Sequence, residues 1–327
     1  MKYVDIILPI RNEAKIIDKV LFSLCYQEGI GKYFFLNIII VDNQSTDSTV
    51  AKANKFFKEN FSQNYSYQIL INQNKPTASA AFNLGFKKSS NKYVMRLDGH
   101  SIISSNYIIS CFEFLDDKKH IAIGGSINHF GNNNSIVQKS IAEVMNHPLL
   151  TAGSFRSSHQ GYSSLIEVDT IAFALQLRKT FLLGGLYDET MIRNQDDLHC
   201  FKQKKNGVQL FLLNTVSINQ RVRNTYFLFF RQYFEWGLYK PSVFIKSKKL
   251  PRYKLMLYFL IAFIFFILAI FQPIIFFYFI LLIFLFYFFI SKSSFIDRVG
   301  FMTAAFIMHS SYFLGFLFGL FFLFRKK

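Results

Sequence analysis

The stretch Lys92-Tyr-Val-Met-Arg-Leu-Asp-Gly-His100 joins an apolar run, which predicts a buried strand, to a charged tip. Alternate residues of a strand share a face, so Arg96, Asp98 and His100 are expected to project to the same side. Open α/β sheets bind ligands at the carboxyl ends of their strands. The tip therefore predicts a ligand site, in which Asp98 and His100 can hold a divalent metal and Arg96 suits a phosphate. The alternative is an exposed strand end with a surface salt bridge.

Other apolar runs predict further strands of the same sheet, at 4–8, 36–41, 67–71 and 121–127. Helical patterns at 13–27 and 78–85 lie between them, and Asn12 is expected to cap the first helix. Alternating strands and helices with short connections predict a parallel, doubly wound sheet with right-handed crossovers. The sequence contains no Gly-x-Gly-x-x-Gly and no Walker motif, so neither a dinucleotide nor P-loop chemistry is supported.

The chain is basic and rich in apolar residues. Its 327 residues include 37 Lys and Arg against 20 Asp and Glu, a formal charge of +17, and 51% are hydrophobic. The charge suits a nucleotide, a nucleic acid or an acidic membrane surface, although a compositional bias of the genome explains it as well. Cys25, Cys111 and Cys200 form no pair motif, so reduced thiols are expected. No signal peptide is recognised before the first strand, so we expect this part of the chain in the cytoplasm.

Three polar tips follow predicted strands in order. They are Leu8-Pro-Ile-Arg-Asn-Glu13, Val41-Asp-Asn-Gln-Ser-Thr-Asp47 and Arg96-Leu-Asp-Gly-His100. Together they resemble a family 2 glycosyltransferase with the GT-A fold, over residues 1 to about 240. Within that family the sequence is most similar to the ExoA-type proteins of succinoglycan biosynthesis, which carry a similar Asp-Gly-His where relatives have Asp-x-Asp.

The resemblance implies a role for each residue of the donor site. Those implied to line the nucleotide pocket or to contact the nucleotide are Pro9, Arg11, Glu13, Asp42 (at the uracil or ribose), Asn83, Gly85 and Arg96 (at the diphosphate). Asp98 and His100 would bind Mg²⁺ or Mn²⁺ bridging the diphosphate. Two alternatives stay open: residues 42–47 also fit an ordinary turn with a helix cap, and Glu13 fits a first-turn carboxylate that favours the helix dipole.

Residues 129–225 are expected to form the acceptor half of the catalytic domain, after a nucleotide-binding half at 1–128. A loop at 153–162 is a candidate lid, or a plain surface loop, and residues 168–173 look like a strand. Sugar transfer needs a base for the acceptor hydroxyl. The resemblance implies Asp196 as that base, with Asp197 the less favoured candidate and helix capping the alternative. Gln195 stands where the family has the first carboxylate of a Glu-Asp pair.

The remainder is predicted to meet a membrane. Residues 226–254 would form an interfacial helix and a basic collar, and 255–327 two or three spans, with a turn at Gln272-Pro273. Residues 232–236 resemble the Gln-x-x-Arg-Trp signature of processive family members, but Glu235 replaces the arginine, which argues against long-chain polymerisation. Gly315 and Gly319 form a small face suited to helix contact.

The leading hypothesis is an inverting, metal-dependent transferase that moves a hexose from a UDP-sugar to a lipid-linked saccharide at the cytoplasmic face of the inner membrane. A polyprenyl-phosphate sugar synthase and a catalytically silent membrane scaffold of the same fold are the alternatives. We expect no nucleic-acid partner, and the oligomeric state stays open.

Overall fold

The computed structural model describes residues 1–74, 76–151, 165–248, 253–291 and 294–324. Contacts divide the chain into two units: Met1–Asn128 with Ser158–Gln220, and His129–Ser157 with Arg221–Lys327. The lid candidate at 153–162 lies outside the described residues, as do parts of the predicted basic collar, at 249–252, and the last three residues.

Four strands form the parallel part of the sheet. They are β1 (Lys2–Ile10), β2 (Phe34–Asp42), β3 (Tyr65–Ile71) and β4 (Tyr93–Arg96), in the order β3-β2-β1-β4. Each neighbouring pair is parallel. β1 is buried without interruption from residue 4 to residue 10, as a strand covered on both faces requires. The strands predicted at 4–8, 36–41 and 67–71, and their parallel arrangement, are confirmed.

The sheet continues beyond β4 with antiparallel pairs. The remaining strands are β5 (Ser101–Ile103), β6 (Ile121–Phe130), β7 (Leu165–Glu167), β8 (Leu175–Leu177) and β9 (Gln209–Arg221). The order runs β4-β8-β6-β9-β5, and β7 pairs with β9. The short β8 lies antiparallel to both β4 and β6. The result is a mixed α/β sheet whose longest pairings are parallel, flanked by helices.

The helices of the described residues are α1 (Ile17–Cys25), α2 (Thr49–Glu59), α3 (Ala78–Lys88), α4 (Tyr107–Phe114), α5 (Ile136–Asn146), α6 (Arg178–Leu182), α7 (Gln195–Lys205), α8 (Tyr226–Ser247), α9 (Tyr253–Phe271), α10 (Pro273–Ile290) and α11 (Phe295–Phe324). The predicted break at Gln272-Pro273 is confirmed, because α9 ends before it and α10 begins with the proline, whose fixed φ suits the first helical turn. Among the described residues, α10 and residues 295–323 of α11 are long and apolar enough to cross a membrane.

Two local predictions were wrong. The first helix begins at Ile17, not at residue 13, and Asn12 does not cap it. Asn12 instead adopts a φ of 57°, and its Oδ1 accepts a hydrogen bond from Thr46 N at 2.8 Å. Residues 168–173 form no strand, because the backbone N and O of Ile171 bond to Cys200 Sγ (3.5 and 3.4 Å) and not to another strand.

Glycines bring α8 and α11 of the second unit into close contact. A Cβ atom on Gly237 of α8 would lie 2.1 Å from Tyr312 O. A Cβ atom on Gly315 or Gly319 of α11 would lie 2.1 Å from Phe234 O or 2.3 Å from Leu238 O. The small face predicted for helix contact therefore packs against a helix of the same chain. We refer to these three glycines as the glycine seam.

Candidate active site

The tips that follow β1, β2 and β4 meet at one edge of the sheet. Ile10 and Asp42, the last residues of β1 and β2, are register partners. Leu97 N, just after β4, donates to Ile7 O at 3.0 Å. The three polar stretches singled out in the sequence are therefore neighbours. Pro9 is buried within β1, whereas Arg11 is exposed at the tip.

The loop after β1 is tied to the loop after β2. Asn12 N donates to Ser45 Oγ at 3.0 Å, and Glu13 N donates to Thr49 Oγ1, at the start of α2, at 2.8 Å. Asp42 is buried, and its carboxylate accepts from Ser45 N at 3.2 and 3.3 Å. These bonds give Asp42 a part in shaping the turn, and its contact with a uracil or ribose stays a prediction.

The charged tip after β4 forms two close pairs. Arg96 Nη2 and Nε lie 2.8 and 2.9 Å from Asp98 Oδ1. His100 Nδ1 lies 3.0 Å from Glu13 Oε1. The strand spacing predicts Arg96, Asp98 and His100 on one side. Arg96 pairs with Asp98, and His100 contacts Glu13 in the tip after β1. Contact between Arg96 and a diphosphate stays a prediction.

The donor set around Asp98 and His100 fits a hard divalent cation only in part. Arg96 engages Oδ1 of Asp98, so the second carboxylate oxygen, Oδ2, is the one suited to a metal. Glu13 engages Nδ1 of His100, so Nε2 is the suited ring nitrogen. The described part of the chain holds no cluster of three or more His, Cys, Asp or Glu side chains that could bind a metal. Two protein ligands suffice for a cation whose remaining shell comes from water and phosphate oxygens.

Arg96 also lies near the predicted base. Arg96 and Asp196 line one internal cavity of about 20 Å³, large enough for a single water. Burial alone would lower the pKa of the Arg96 guanidinium. The charge of Asp98, with smaller contributions from Tyr187 and Asp196, raises that pKa above its usual range. The guanidinium is therefore a positive charge shared by the predicted metal ligand and the predicted base.

The predicted base lies in the first turn of a helix. α7 runs from Gln195 to Lys205, with Asp196 and Asp197 in its first turn, where carboxylates favour the helix dipole. Asn194 precedes it with a φ of 60°. Gly207 follows it with a φ of 80°, the left-handed conformation in which a glycine commonly ends a helix. Asp197 is buried.

Asn83 and Gly85 of α3 have packing contacts. Asn83 Nδ2 donates to Tyr187 O at 2.8 Å and to Glu189 Oε1 at 2.9 Å, and Asn83 Oδ1 accepts from Tyr187 N at 3.0 Å. A Cβ atom on Gly85 would lie 2.6 Å from the side chain of Ile7 on β1. Asn83 thus fixes the segment that bears Tyr187, and Gly85 lets α3 approach the sheet. Their predicted places beside the nucleotide stay predictions.

Two residues outside the predicted set lie at this site. Tyr187 lies against Arg96, with the guanidinium carbon 5.3 Å from the ring centroid. His199 packs on Phe181 at a centroid distance of 4.2 Å. Burial, and then the nearby charge of Lys202, lower the pKa of His199 to about 3.

Asp5 is a further buried carboxylate that the sequence did not single out, and it lies toward the start of the parallel strands, away from the polar tips. It is fully buried in β1 and accepts four hydrogen bonds, from Asn37 Nδ2, Ser90 N, Asn91 N and Asn91 Nδ2, at 2.6 to 3.0 Å. These bonds join β1 to β2 and to the turn before β4. The sequence signal for these hydrogen bonds was a lone carboxylate inside an apolar strand, because a buried charge requires partners.

A family sequence model and several solved structures are similar to this chain. The sequence model of the family described as "Glycosyl transferase family 2" matches residues 5–179, more than half of the chain. No curated protein matches the sequence of this chain. Among solved structures, GalNAc-T7 with UDP, GalNAc and Mn²⁺ has a TM-score of 0.51 and 13% identity, over 68% of this chain and 43% of that chain.

TarS from S. aureus is a second similar structure. Residues 1–349 of TarS in complex with UDP give a TM-score of 0.46 and 18% identity, over 73% of this chain. This chain spans 66% of that TarS fragment and 43% of GalNAc-T7. The likeness to GalNAc-T7 supports the fold alone, and the predicted GT-A type α/β fold is confirmed. On the match over residues 5–179, the chain belongs to glycosyl transferase family 2.

Proposed function

We propose that the protein is an inverting, metal-dependent hexosyltransferase that uses a UDP-sugar and extends a lipid-linked saccharide. The observation that supports this most is the sharing of one buried guanidinium, that of Arg96, between Asp98 and Asp196. A leaving diphosphate and an attacking hydroxyl have to meet at one anomeric carbon. A proposed metal ligand and a proposed base near a single arginine are consistent with that requirement.

In this proposal Asp196 takes the proton from the acceptor hydroxyl as its oxygen bonds to the anomeric carbon. The bond between that carbon and the diphosphate oxygen breaks on the opposite face, which inverts the configuration, and the nucleoside diphosphate leaves. Asp98 and His100 would hold Mn²⁺ or Mg²⁺, which supplies charge stabilisation to the departing diphosphate. Arg96 orients Asp98 and places a positive charge near Asp196, which lowers the repulsion between the two carboxylates.

The C-terminal helices support the proposal of a lipid-linked acceptor and a membrane location. Large apolar side chains such as Ile274 and Phe289 of α10 are 73% and 74% exposed, and exposed apolar surface on this scale suits contact with lipid. An acceptor with a polyprenyl tail lies in the same bilayer. We therefore propose anchoring in the inner membrane with catalysis on the cytoplasmic side. The Asp-Gly-His stretch favours an ExoA-type role in exopolysaccharide synthesis, and Glu235 favours the addition of single sugars.

The test is sugar transfer by the full-length protein purified in detergent, with UDP-hexoses, Mn²⁺ and a polyprenyl-diphosphate saccharide. Asp98→Asn and Asp196→Asn should each reduce transfer by about 10²- to 10⁴-fold. Asp18→Asn is the matched control, because Asp18 lies on α1 with a side chain that is 53% exposed. Undiminished transfer by both site variants would remove the proposal. A product that is a lipid-linked sugar monophosphate would instead identify a polyprenyl-phosphate sugar synthase.

A further inference from the structure

Glu13 makes a contact that a residue lining a nucleotide pocket does not require. Its Oε1 lies 3.0 Å from Nδ1 of His100, and the two side chains are 23% and 34% exposed. The contact joins the loop after β1 to the tip after β4. Glu13 is therefore in direct contact with one of the two proposed metal ligands.

The backbone and the surroundings fix the position of Glu13. Its N donates to Thr49 Oγ1 at 2.8 Å, and its carbonyl accepts from the N atoms of Ile16 and Ile17, both at 2.9 Å. A Cβ atom on Gly99 would lie 3.1 Å from Glu13 Cγ. A side chain at position 99 would therefore press on Glu13 as well as on Ile10, and glycine leaves room for the observed position of Glu13.

The other proposed ligand has a similar partner. Arg96 holds Oδ1 of Asp98 with two nitrogen atoms. Each proposed ligand thus has one atom engaged by a charged side chain and a second atom suited to a metal. Metal-binding histidines commonly donate their other ring N–H to a carboxylate, which fixes the tautomer and the ring orientation.

We propose that Glu13 is a positioning residue for metal binding by His100. Its carboxylate accepts the Nδ1 hydrogen, which keeps the lone pair on Nε2 and directs that nitrogen toward the cation. The inference rests on the proposed function, since it requires that His100 bind a metal. It gives Glu13 a role in metal affinity that is separate from contact with the nucleotide.

Mn²⁺ binding to the full-length protein in detergent tests the inference without measuring activity. Electron paramagnetic resonance would follow bound Mn²⁺ with and without UDP, and its nitrogen couplings would report imidazole coordination. Glu13→Ala should weaken Mn²⁺ binding by about 10- to 100-fold and reduce the imidazole coupling. Glu13→Gln should lose less, because its amide oxygen can still accept from Nδ1. Glu59→Gln, at an exposed residue of α2, should bind as the wild type does.

The variants separate failure of this inference from failure of the proposed function. Wild-type protein that binds no Mn²⁺, or His100→Ala with unchanged Mn²⁺ binding and coupling, would overturn both the metal site and the role of Glu13. Weaker binding by His100→Ala together with unchanged binding by Glu13→Ala would overturn only the role of Glu13. If Glu13→Ala failed to fold, Glu13→Gln would decide: a partial loss of Mn²⁺ binding and of imidazole coupling would support the role of Glu13, and binding and coupling equal to the wild type's would overturn it.

Discussion

Replacement of Gly315 by alanine should loosen the contact between α8 and α11. The added Cβ atom would lie 2.1 Å from Phe234 O, whereas ordinary contact begins at 3.4 Å, so the two helices would have to separate locally by about 1.3 Å. The obstacle is a backbone carbonyl, which cannot rotate away as a side chain can. Separation would also strain or open the neighbouring contacts of Gly237 and Gly319.

Two effects of opposite sign decide the magnitude. Alanine is favoured over glycine within a helix by roughly 0.8 to 1 kcal/mol. Overpacking of a close contact costs about 1 to 3 kcal/mol, and a rigid backbone neighbour favours the upper part of that range. The clash should therefore exceed the gain in helix propensity. We expect Gly315→Ala to lower the free energy of unfolding by roughly 1 to 2 kcal/mol.

The only tryptophan of the chain, Trp236, reports on this seam directly. It precedes Gly237 and packs at the edge of a buried cluster that includes Phe229 of α8 and Phe301 of α11. Thermal unfolding in detergent, followed by its fluorescence, should show a lower midpoint and a red-shifted folded-state emission for Gly315→Ala. Leu314→Ala is the control, since that side chain is 38% exposed. A Gly315→Ala protein with unchanged emission and an equal or higher midpoint would refute the reasoning.

Three further predictions concern the catalytic unit. Asp5→Ala should destabilise the fold by roughly 3 kcal/mol or more, because it leaves buried donors without an acceptor; a change below about 1 kcal/mol in chemical unfolding would contradict this. The pKa of His199 is about 3 in the folded state and near 6.5 when unfolded, so the unfolded state binds the extra proton between these values. The contribution of His199 to the free energy of unfolding should therefore be fully present above pH 6.5 and fall toward pH 3, by at most about 1.4 kcal/mol per pH unit. His199→Leu should remove that part of the pH dependence of the unfolding midpoint. Arg96→Met should lower the free energy of unfolding by roughly 3 kcal/mol and abolish transfer, with Arg96→Lys less affected; wild-type stability and activity in Arg96→Met would show that the shared charge is dispensable.

The parallel half of the sheet could be predicted because its signal is local. Continuous apolar runs at β1 and β2 define strands buried on both faces, and short connections through helices leave few topologies open. The pairing of Arg96 with Asp98 also follows from strand periodicity. The first helix boundary was missed because Asn12 is recruited by the loop after β2, a contact 34 residues away in sequence.

The rest of the site depends on contacts that no local pattern encodes. β8 has only three residues, and its place between β4 and β6 is set by its partners. Ile171 looks like a strand residue by hydrophobicity, yet its backbone bonds to Cys200. Tyr187 reaches Arg96 because Asn83 holds its backbone on both sides. Each of these contacts joins distant parts of the chain, which is why sequence spacing could not reveal it.

In the proposed site, the hydrogen bond from Glu13 N to Thr49 Oγ1 connects the choice of donor nucleotide with the affinity for the cation, two properties that are usually treated separately. Under the proposed function, in which Asp42 contacts the nucleoside, residues 42–48 are the target for changing which nucleoside the protein accepts. Any substitution there that shifts Thr49 also moves Glu13, and through it the imidazole of His100. Attempts to engineer a new donor preference should therefore select for cation affinity at the same time.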